Sequence, residues 1–128
     1  MLWQDYQTFR KVPDEVTEVT WRRFLDDLEP VHALVAEEEE VLIGFAHYLF
    51  HRSTSRLNSI CYLQDMFTAE ATRRRGVGRA LIEAVCARAQ AAGASRVYWH
   101  AQENNATARA LYDKVATLTG FLQYRKTV

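Results

Sequence analysis

A short loop rich in arginine and glycine constrains this chain more than any other segment. The loop reads Arg73-Arg74-Arg75-Gly76-Val77-Gly78, between an apolar run typical of a β-strand and an amphipathic run typical of a helix. Glycine lets the backbone turn so that successive N–H groups point at one anion, and the N-terminal end of the following helix adds positive charge. The segment therefore predicts a phosphate-binding loop that joins a strand to a helix.

Two well-known phosphate loops are excluded by the residues that follow. A nucleoside triphosphate loop continues as Gly-Lys-Ser or Gly-Lys-Thr, whereas Gly78 is followed by Arg79 and Ala80. A dinucleotide loop needs a third glycine where this chain has Leu81. What remains is Arg-x-x-Gly-x-Gly at the start of a helix, for which packing alone is the competing explanation.

A second motif further along the chain favours a ligand over packing alone. Asn105, Ala108 and Tyr112 are spaced i, i+3, i+7, so a helix projects all three from one face. Ala108 is small enough for a ligand's arm to lie close to the helix, and Tyr112 presents a hydroxyl one turn further on. Taken alone, the segment is equally explained by an N-cap at Asn105 followed by ordinary core residues.

The two motifs, in this order and at this separation, resemble those of the GNAT superfamily of acyl-CoA-dependent N-acetyltransferases. In motif spacing the chain is most similar to the diamine acetyltransferases that act on spermidine and spermine. The resemblance implies acetyl-CoA as co-substrate, its pyrophosphate on the loop and its pantetheine arm beside the helix. The cofactor-binding residues that it implies are Met66, Phe67, Thr68, Arg73, Arg74, Arg75, Gly76, Val77, Gly78, Arg79, Asn105, Ala108 and Tyr112.

Hydrophobic periodicity predicts helices and strands along the whole chain, whose length indicates one domain. The resemblance implies that this is an N-acetyltransferase domain over residues 1–128. Helices are predicted at 2–11, 15–28, 78–92 and 105–117, and strands at 31–36, 41–50, 58–67, 96–100 and 120–126. The resemblance implies an α/β (α+β) fold of the GNAT type, a mixed central sheet flanked by helices. The first strand of that fold is expected to be absent, because the helical pattern begins almost at Met1.

The reaction implied by the resemblance moves an acetyl group from acetyl-CoA to a primary amine. An alkylamine of pKa about 10.4 is only about a thousandth neutral near pH 7.4, so a carboxylate is needed to help remove its proton. The leaving thiolate needs a proton, which the phenol of Tyr112 can supply, and Tyr112 is the predicted general acid. The backbone N–H of Met66 is the candidate for polarising the thioester carbonyl.

The group that accepts the amine proton is less determined. Diamine acetyltransferases have a carboxylate where this chain has Gln64, and a glutamine side chain cannot accept that proton. Glu103 is the first choice, because it lies close to the end of the strand predicted at 96–100. The other candidates are His47, Asp65 and His100, for which structural roles are the alternatives: Asp65 anchoring a strand bulge and the histidines satisfied within the fold.

The amine pocket is expected to draw on aromatic side chains. A cationic ligand would suit two pairs of aromatic residues: Tyr6 and Phe9 of the first predicted helix, and Tyr98 and Trp99 of the strand predicted at 96–100. The same residues are equally typical of an apolar core.

Charge and composition narrow the partners. Sixteen basic and sixteen acidic residues cancel, so no global positive field indicates nucleic acid or an anionic membrane. The longest apolar stretch, residues 41–50, is too short to span a bilayer, and no signal peptide is recognised. Cys61 and Cys86 are interpreted as small buried hydrophobes in a reducing cytoplasm, without metal-ligand spacing. We therefore expect a cytoplasmic protein with no metal.

The leading functional hypothesis is an N-acetyltransferase that acts on a small-molecule or polyamine-like amine acceptor. One alternative is acetylation of a protein lysine or N-terminus. Another is a non-catalytic acyl-CoA-binding module, which the glutamine at position 64 keeps open. A homodimer that pairs through residues 120–126 is expected by analogy with the family.

Overall fold

The computed structural model describes residues 12–73 and 75–128. In chain order its elements are helix α1 (Asp14–Phe24), strands β1 (Val31–Glu38), β2 (Val41–His51) and β3 (Ile60–Thr68), a 3-10 turn (Glu70–Thr72), helix α2 (Val77–Ala91), strand β4 (Val97–Tyr98) and helix α3 (Ala106–Val115). The predicted first helix with Tyr6 and Phe9, the expected absence of a strand before it, and Arg74 all lie outside the described residues.

The four strands form one mixed sheet in the order β1-β2-β3-β4. The first three strands are antiparallel neighbours. A turn of glutamates joins β1 to β2, and in it Glu39 and Glu40 have φ of 51° and 65°. β4 is parallel to β3 and pairs with it over only two residues. The predicted mixed sheet is therefore confirmed, and its one parallel pair is unusually short.

Helices cover both faces of this sheet. α2 and α3 pack on one face, where the buried residues form the main core: Ala46, Tyr48, Cys61, Leu63, Leu81, Ile82, Val85 and Ala89. α1 lies on the other face, where the ring of Phe24 is 4.9 Å from that of His47. The close approach of α2 is possible because Gly44 of β2 has no side chain. A Cβ atom there would lie 3.1 Å from both the Phe67 carbonyl oxygen and a methyl of Val77.

Two details of the predicted core are wrong. Cys86 is exposed, because it lies one position beyond Val85 and turns away from the sheet, whereas Cys61 is buried as expected. Burial raises the pKa of the Cys61 thiol to about 11, which leaves it an unreactive part of the core. The helix predicted at 15–28 has the spacing of an apolar stripe at Trp21, Leu25 and Leu28, but all three are exposed. The helix ends at Phe24, so Leu25 and Leu28 lie beyond it.

The predicted final strand is also wrong. Residues 117–128 contain no helix or strand, and Phe121, Leu122 and Tyr124 are between 80% and 92% exposed. A strand is stable only when a neighbouring backbone supplies hydrogen bonds. The neighbour expected here was the strand predicted at 96–100, and the structure reduces that strand to the two residues of β4.

Candidate active site

A cleft of about 220 Å³ opens where β3 and β4 separate. The strands pair through Cys61 with Val97 and Tyr62 with Tyr98, and beyond those pairs they diverge. The residues that line the cleft are Leu63, Gln64, Asp65, Met66, Phe67, Trp99, His100, Ala101, Gln102, Asn105, Ala108 and Tyr112. The gap lies where the pantetheine arm is expected to enter between the strands.

A β-bulge at Gln64 sets the direction of the side chains that reach this cleft. Across β2, His47 pairs with Asp65 while the next residue, Tyr48, pairs with Leu63. Gln64 is thus an extra residue in β3, and its insertion reverses the alternation of side chains after it.

The reversal determines which face of the sheet the Asp65 side chain occupies. Leu63 and Met66 both pack against the core beneath α2, although they are three residues apart. Asp65 instead lies on the opposite face of the sheet, with His47. In a regular strand Asp65 would share the face of Leu63 and would bury its carboxylate in that apolar core, at a large desolvation cost.

Asp65 and His47 form an ion pair on this second face. Asp65 Oδ2 lies 3.2 Å from His47 Nδ1, and the two side chains are 12% and 11% exposed. The imidazole ring contacts two aromatic rings, with centroid distances of 4.9 Å to Phe24 and 4.7 Å to Phe45. Asp65 lines the cleft, and His47 is not among the lining residues.

The opposite wall of the cleft is formed by α3. Asn105, Ala108 and Tyr112 all line the cleft, as their helical spacing predicts. Asn105 also caps the helix, because its side-chain oxygen accepts a hydrogen bond of 3.2 Å from the Ala108 N–H. Asn105 therefore both lines the cleft and caps α3.

Tyr112 has the properties of a proton donor. Its ring packs edge-on against Trp99, at a centroid distance of 5.5 Å. Burial raises the pKa of Tyr112 above its ordinary value, because the charged phenolate loses solvation. The phenol therefore keeps its proton throughout the neutral pH range.

The arginine-rich loop leads from β3 into α2. Gly76 has φ of 82°, a left-handed conformation that favours glycine, and it occupies the N-cap position of α2 without a side-chain capping bond. Its carbonyl accepts the first helical hydrogen bond, from Ala80 N–H at 3.0 Å. The N–H groups of the first turn thus have no side-chain cap, and the predicted phosphate loop does lead into a helix N-terminus.

Carboxylates partly balance the charge of this loop. Arg75 Nη2 donates to both oxygens of Glu38, at 3.0 and 2.8 Å, and Arg79 Nε donates to Glu83 at 3.1 Å. Both pairs are about half exposed, so each is worth little in stability and an anionic ligand can replace the carboxylate. The guanidinium of Arg73 lies 5.8 Å from the centre of the Phe67 ring.

Other predicted site residues fall in different places. Glu103 is exposed and is not part of the cleft lining; its backbone carbonyl accepts a hydrogen bond from Arg109 at 2.8 Å. Trp99 lines the cleft, whereas the hydroxyl of Tyr98 is 2.9 Å from His51 Nε2. His100 lines the cleft, and its Nδ1 is 3.2 Å from the Tyr62 hydroxyl.

The sequence interpretation missed the pairing of Asp65 with His47. Each residue was a separate candidate, and their pairing depends on a register that no local pattern specifies. The only available signal was one polar residue within each of two successive apolar runs, which favours a shared purpose on neighbouring strands.

Comparison with known proteins agrees with this architecture. A model of the Acetyltransferase (GNAT) family matches residues 1–116. The D-amino-acid N-acetyltransferase HPA3 of Saccharomyces cerevisiae is 39% identical over 129 residues, covering 98% of this chain and 80% of that protein. The chain therefore belongs to the GNAT family, and it is an acyl-CoA-dependent N-acetyltransferase.

Solved structures show the same fold. The aminoglycoside acetyltransferase HMB0005 from an uncultured soil metagenomic sample has a TM-score of 0.80 and 27% identity, covering 99% of this chain and 83% of that one. The ribosomal-protein-alanine N-acetyltransferase from Brucella melitensis biovar Abortus 2308 has a TM-score of 0.78 and 20% identity, covering 99% and 88%, a likeness of fold alone. The predicted GNAT fold class is confirmed.

The described residues contain neither a metal-ligand cluster nor a helix that could cross a membrane. Within 12–73 and 75–128, no group of three or more His, Cys, Asp or Glu residues could hold a metal ion. In the same part of the chain, every helix is too short or too polar to cross a bilayer.

The capping bond of Asn105 generates a stability prediction. We expect Asn105→Ala to lower the free energy of unfolding by about 1 kcal/mol, because the Ala108 N–H loses its partner. Urea denaturation followed by circular dichroism measures the change. Asn105→Asp is the matched control, because its carboxylate caps the same N–H and suits the helix N-terminus. An unchanged midpoint for Asn105→Ala would contradict the capping role.

Proposed function

We propose that this enzyme transfers the acetyl group of acetyl-CoA to the single primary amine of a small molecule, with α-amino acids as the first acceptor class. The observation that carries the proposal is the cleft between β3 and β4. Tyr112, whose phenol is protonated at neutral pH, and Asp65, which carries a carboxylate, both line this cleft. These are the two groups needed to protonate a leaving thiolate and to deprotonate an amine.

Acetyl-CoA binding is proposed along the path from the arginine loop to this cleft. Its pyrophosphate is assigned to the N-terminal turn of α2, where Gly76 allows close approach and Arg73, Arg75 and Arg79 supply charge. Its pantetheine arm is assigned to the gap beside Met66, Phe67 and Thr68, with Ala108 leaving room on α3.

The proposed chemistry is direct attack of the amine on the thioester. The neutral amine nitrogen forms a bond to the acetyl carbon, and the backbone N–H of Met66 stabilises the developing oxyanion. The C–S bond then breaks, its electron pair goes to sulfur, and the Tyr112 phenol donates a proton to the thiolate. The nitrogen loses one proton, which passes to solvent, and the phenolate recovers a proton from solvent, so the products are an amide and free CoA.

Charge in the cleft favours an acceptor with one amine over a polyamine. Among the described residues that line the cleft, Asp65 is the single carboxylate, whereas spermidine would bring several positive charges. The relative HPA3 is named as a D-amino-acid N-acetyltransferase, which supports amino acids as acceptors. Polyamines remain the second candidate, on the motif spacing shared with diamine acetyltransferases.

An acceptor panel tests this proposal. We expect release of free thiol from acetyl-CoA with D- or L-amino acids, measured against spermidine, a simple diamine and a lysine-containing peptide. Turnover of spermidine alone would establish the polyamine candidate, and turnover of the peptide alone would establish a protein acetyltransferase. Binding of acetyl-CoA without turnover of any amine would identify a non-catalytic acyl-CoA-binding module.

Tyr112→Phe tests the proton donor. We expect kcat to fall by about a hundredfold or more, because the leaving thiolate loses its proton source. The Kd for acetyl-CoA should stay within about twofold, since the ring and its packing on Trp99 are kept. Tyr98→Phe is the matched control, because that hydroxyl meets His51 instead of the cleft. Unchanged turnover in a folded Tyr112→Phe protein would refute the assignment.

Arg75→Glu tests the phosphate loop. We expect the Kd for acetyl-CoA to rise at least about tenfold, because a cation beside the phosphates becomes an anion. Arg22→Glu on α1 makes the same charge change away from the loop and should leave the Kd nearly unchanged. Isothermal titration calorimetry at fixed salt measures both variants. Equal affinities in the two would contradict the pyrophosphate assignment.

A homodimer remains a proposal, supported by the exposed C-terminal segment. Phe121, Leu122 and Tyr124 are almost fully exposed, and β4 is an edge strand of the described sheet. We expect sedimentation to give a dimer at micromolar concentration, and Phe121→Glu with Leu122→Lys to give a monomer. A monomeric wild-type protein would contradict the proposal.

A further inference from the structure

The Asp65–His47 pair differs from the other ion pairs among the described residues by its shielding from water. Its side chains are 12% and 11% exposed, whereas those of the pairs Glu38–Arg75 and Arg79–Glu83 are between 47% and 63% exposed. Shielding a carboxylate to this extent carries a desolvation cost. A surface ion pair would stabilise the fold with less cost, so this placement calls for a use beyond stability.

The position of Asp65 in the fold indicates what this carboxylate is used for. Asp65 lines the cleft that Tyr112 also lines, and its Oδ2 lies 3.2 Å from Nδ1 of His47, which is not among the lining residues. The neighbouring residue, Gln64, is exposed at the bulge and carries an amide that cannot accept a proton. The bulge therefore brings the carboxylate of the next residue to the same cleft.

We propose that Asp65 is the catalytic residue that takes the proton from the acceptor's ammonium group, and that His47 is a positioning residue that holds the carboxylate toward the cleft. The inference rests on the proposed function and names its general base. It replaces the expectation for Glu103, whose exposed position outside the cleft lining offers no contact with an amine held there.

His47 can hold the carboxylate in one orientation. An ionised carboxylate only accepts hydrogen bonds, so the Nδ1 N–H of His47 donates to Asp65 Oδ2. The imidazole is itself held by contacts with the rings of Phe24 and Phe45. Phe24 belongs to α1, so this helix supports the base through the ring it places on His47.

Protons and electrons balance in the proposed sequence. Asp65 removes one proton from the ammonium and passes it to solvent, which leaves a nitrogen lone pair for attack on the acetyl carbon. After the C–N bond forms, Asp65 accepts the second proton from nitrogen as the C–S electron pair moves to sulfur, and it then releases this proton to solvent. Tyr112 protonates the thiolate and is reprotonated from solvent. The net products are the amide, free CoA and one proton.

Asp65→Asn, with two acceptors, tests the base. The acceptors are the best amine of the panel and its β-fluorinated analogue, which has nearly the same shape but a more acidic ammonium group. We expect kcat/KM to fall about a hundredfold or more with the parent amine, and several-fold less with the analogue, because less of the analogue needs deprotonation. An equal loss with both amines, or no loss, overturns the assignment.

Two His47 variants test the positioning role. His47→Asn retains an N–H donor near the position of Nδ1, whereas His47→Leu removes it. We expect kcat with the parent amine to fall at least about tenfold in His47→Leu and to recover partly in His47→Asn. The KM for acetyl-CoA should change little in either. Equal effects of the two variants on kcat would overturn the role of His47.

Controls separate this inference from the proposed function. Unfolding midpoints and the Kd for acetyl-CoA establish that each variant is folded and binds the co-substrate. If Asp65→Asn does not fold, the His47 pair carries the test. A wild-type protein that turns over no amine would refute the proposed function together with this inference. Wild-type turnover that is undiminished in Asp65→Asn would refute the inference alone.

Discussion

The short parallel ladder between β3 and β4 is the constraint on which the rest of the site depends. Two residue pairs hold the strands together at Cys61 and Tyr62, and the cleft opens directly beyond them. A longer ladder would close the gap with backbone hydrogen bonds and leave no room for an acyl chain. α2 and α3 compensate for the missing pairing, because both pack on the core face across this region.

The bulge at Gln64 acts together with that gap. One extra residue turns Asp65 toward His47 and the second face of the sheet, and it returns Met66 to the core. The site therefore has different chemistry on its two sides: an apolar side beneath α2 and a polar side near α1. The arginine loop follows β3 in the chain, so the strand that lines the cleft leads into the loop proposed to bind phosphate.

Much of the fold could be predicted because its signals are local. Helical spacing indicated that Leu81, Ile82, Val85 and Ala89 form one buried face, and that Asn105, Ala108 and Tyr112 line one side of a ligand site. The errors occurred where a neighbour decides the outcome. Residues 120–126 have the pattern of a strand but no strand beside them to pair with, and Cys86 lies just past the edge of a buried stripe.

The sequence by itself determined the family, the glycine turn that begins α2 and the cleft-lining face of α3, because glycine turns and helical periodicity act over a few residues. Only the tertiary structure decided which carboxylate reaches the cleft. That outcome depends on one extra residue in β3 relative to β2, which exchanges the two faces of the strand. No local sequence pattern specifies this register. The register is why Asp65 borders the cleft while Glu103, nearer to the second motif in sequence, does not.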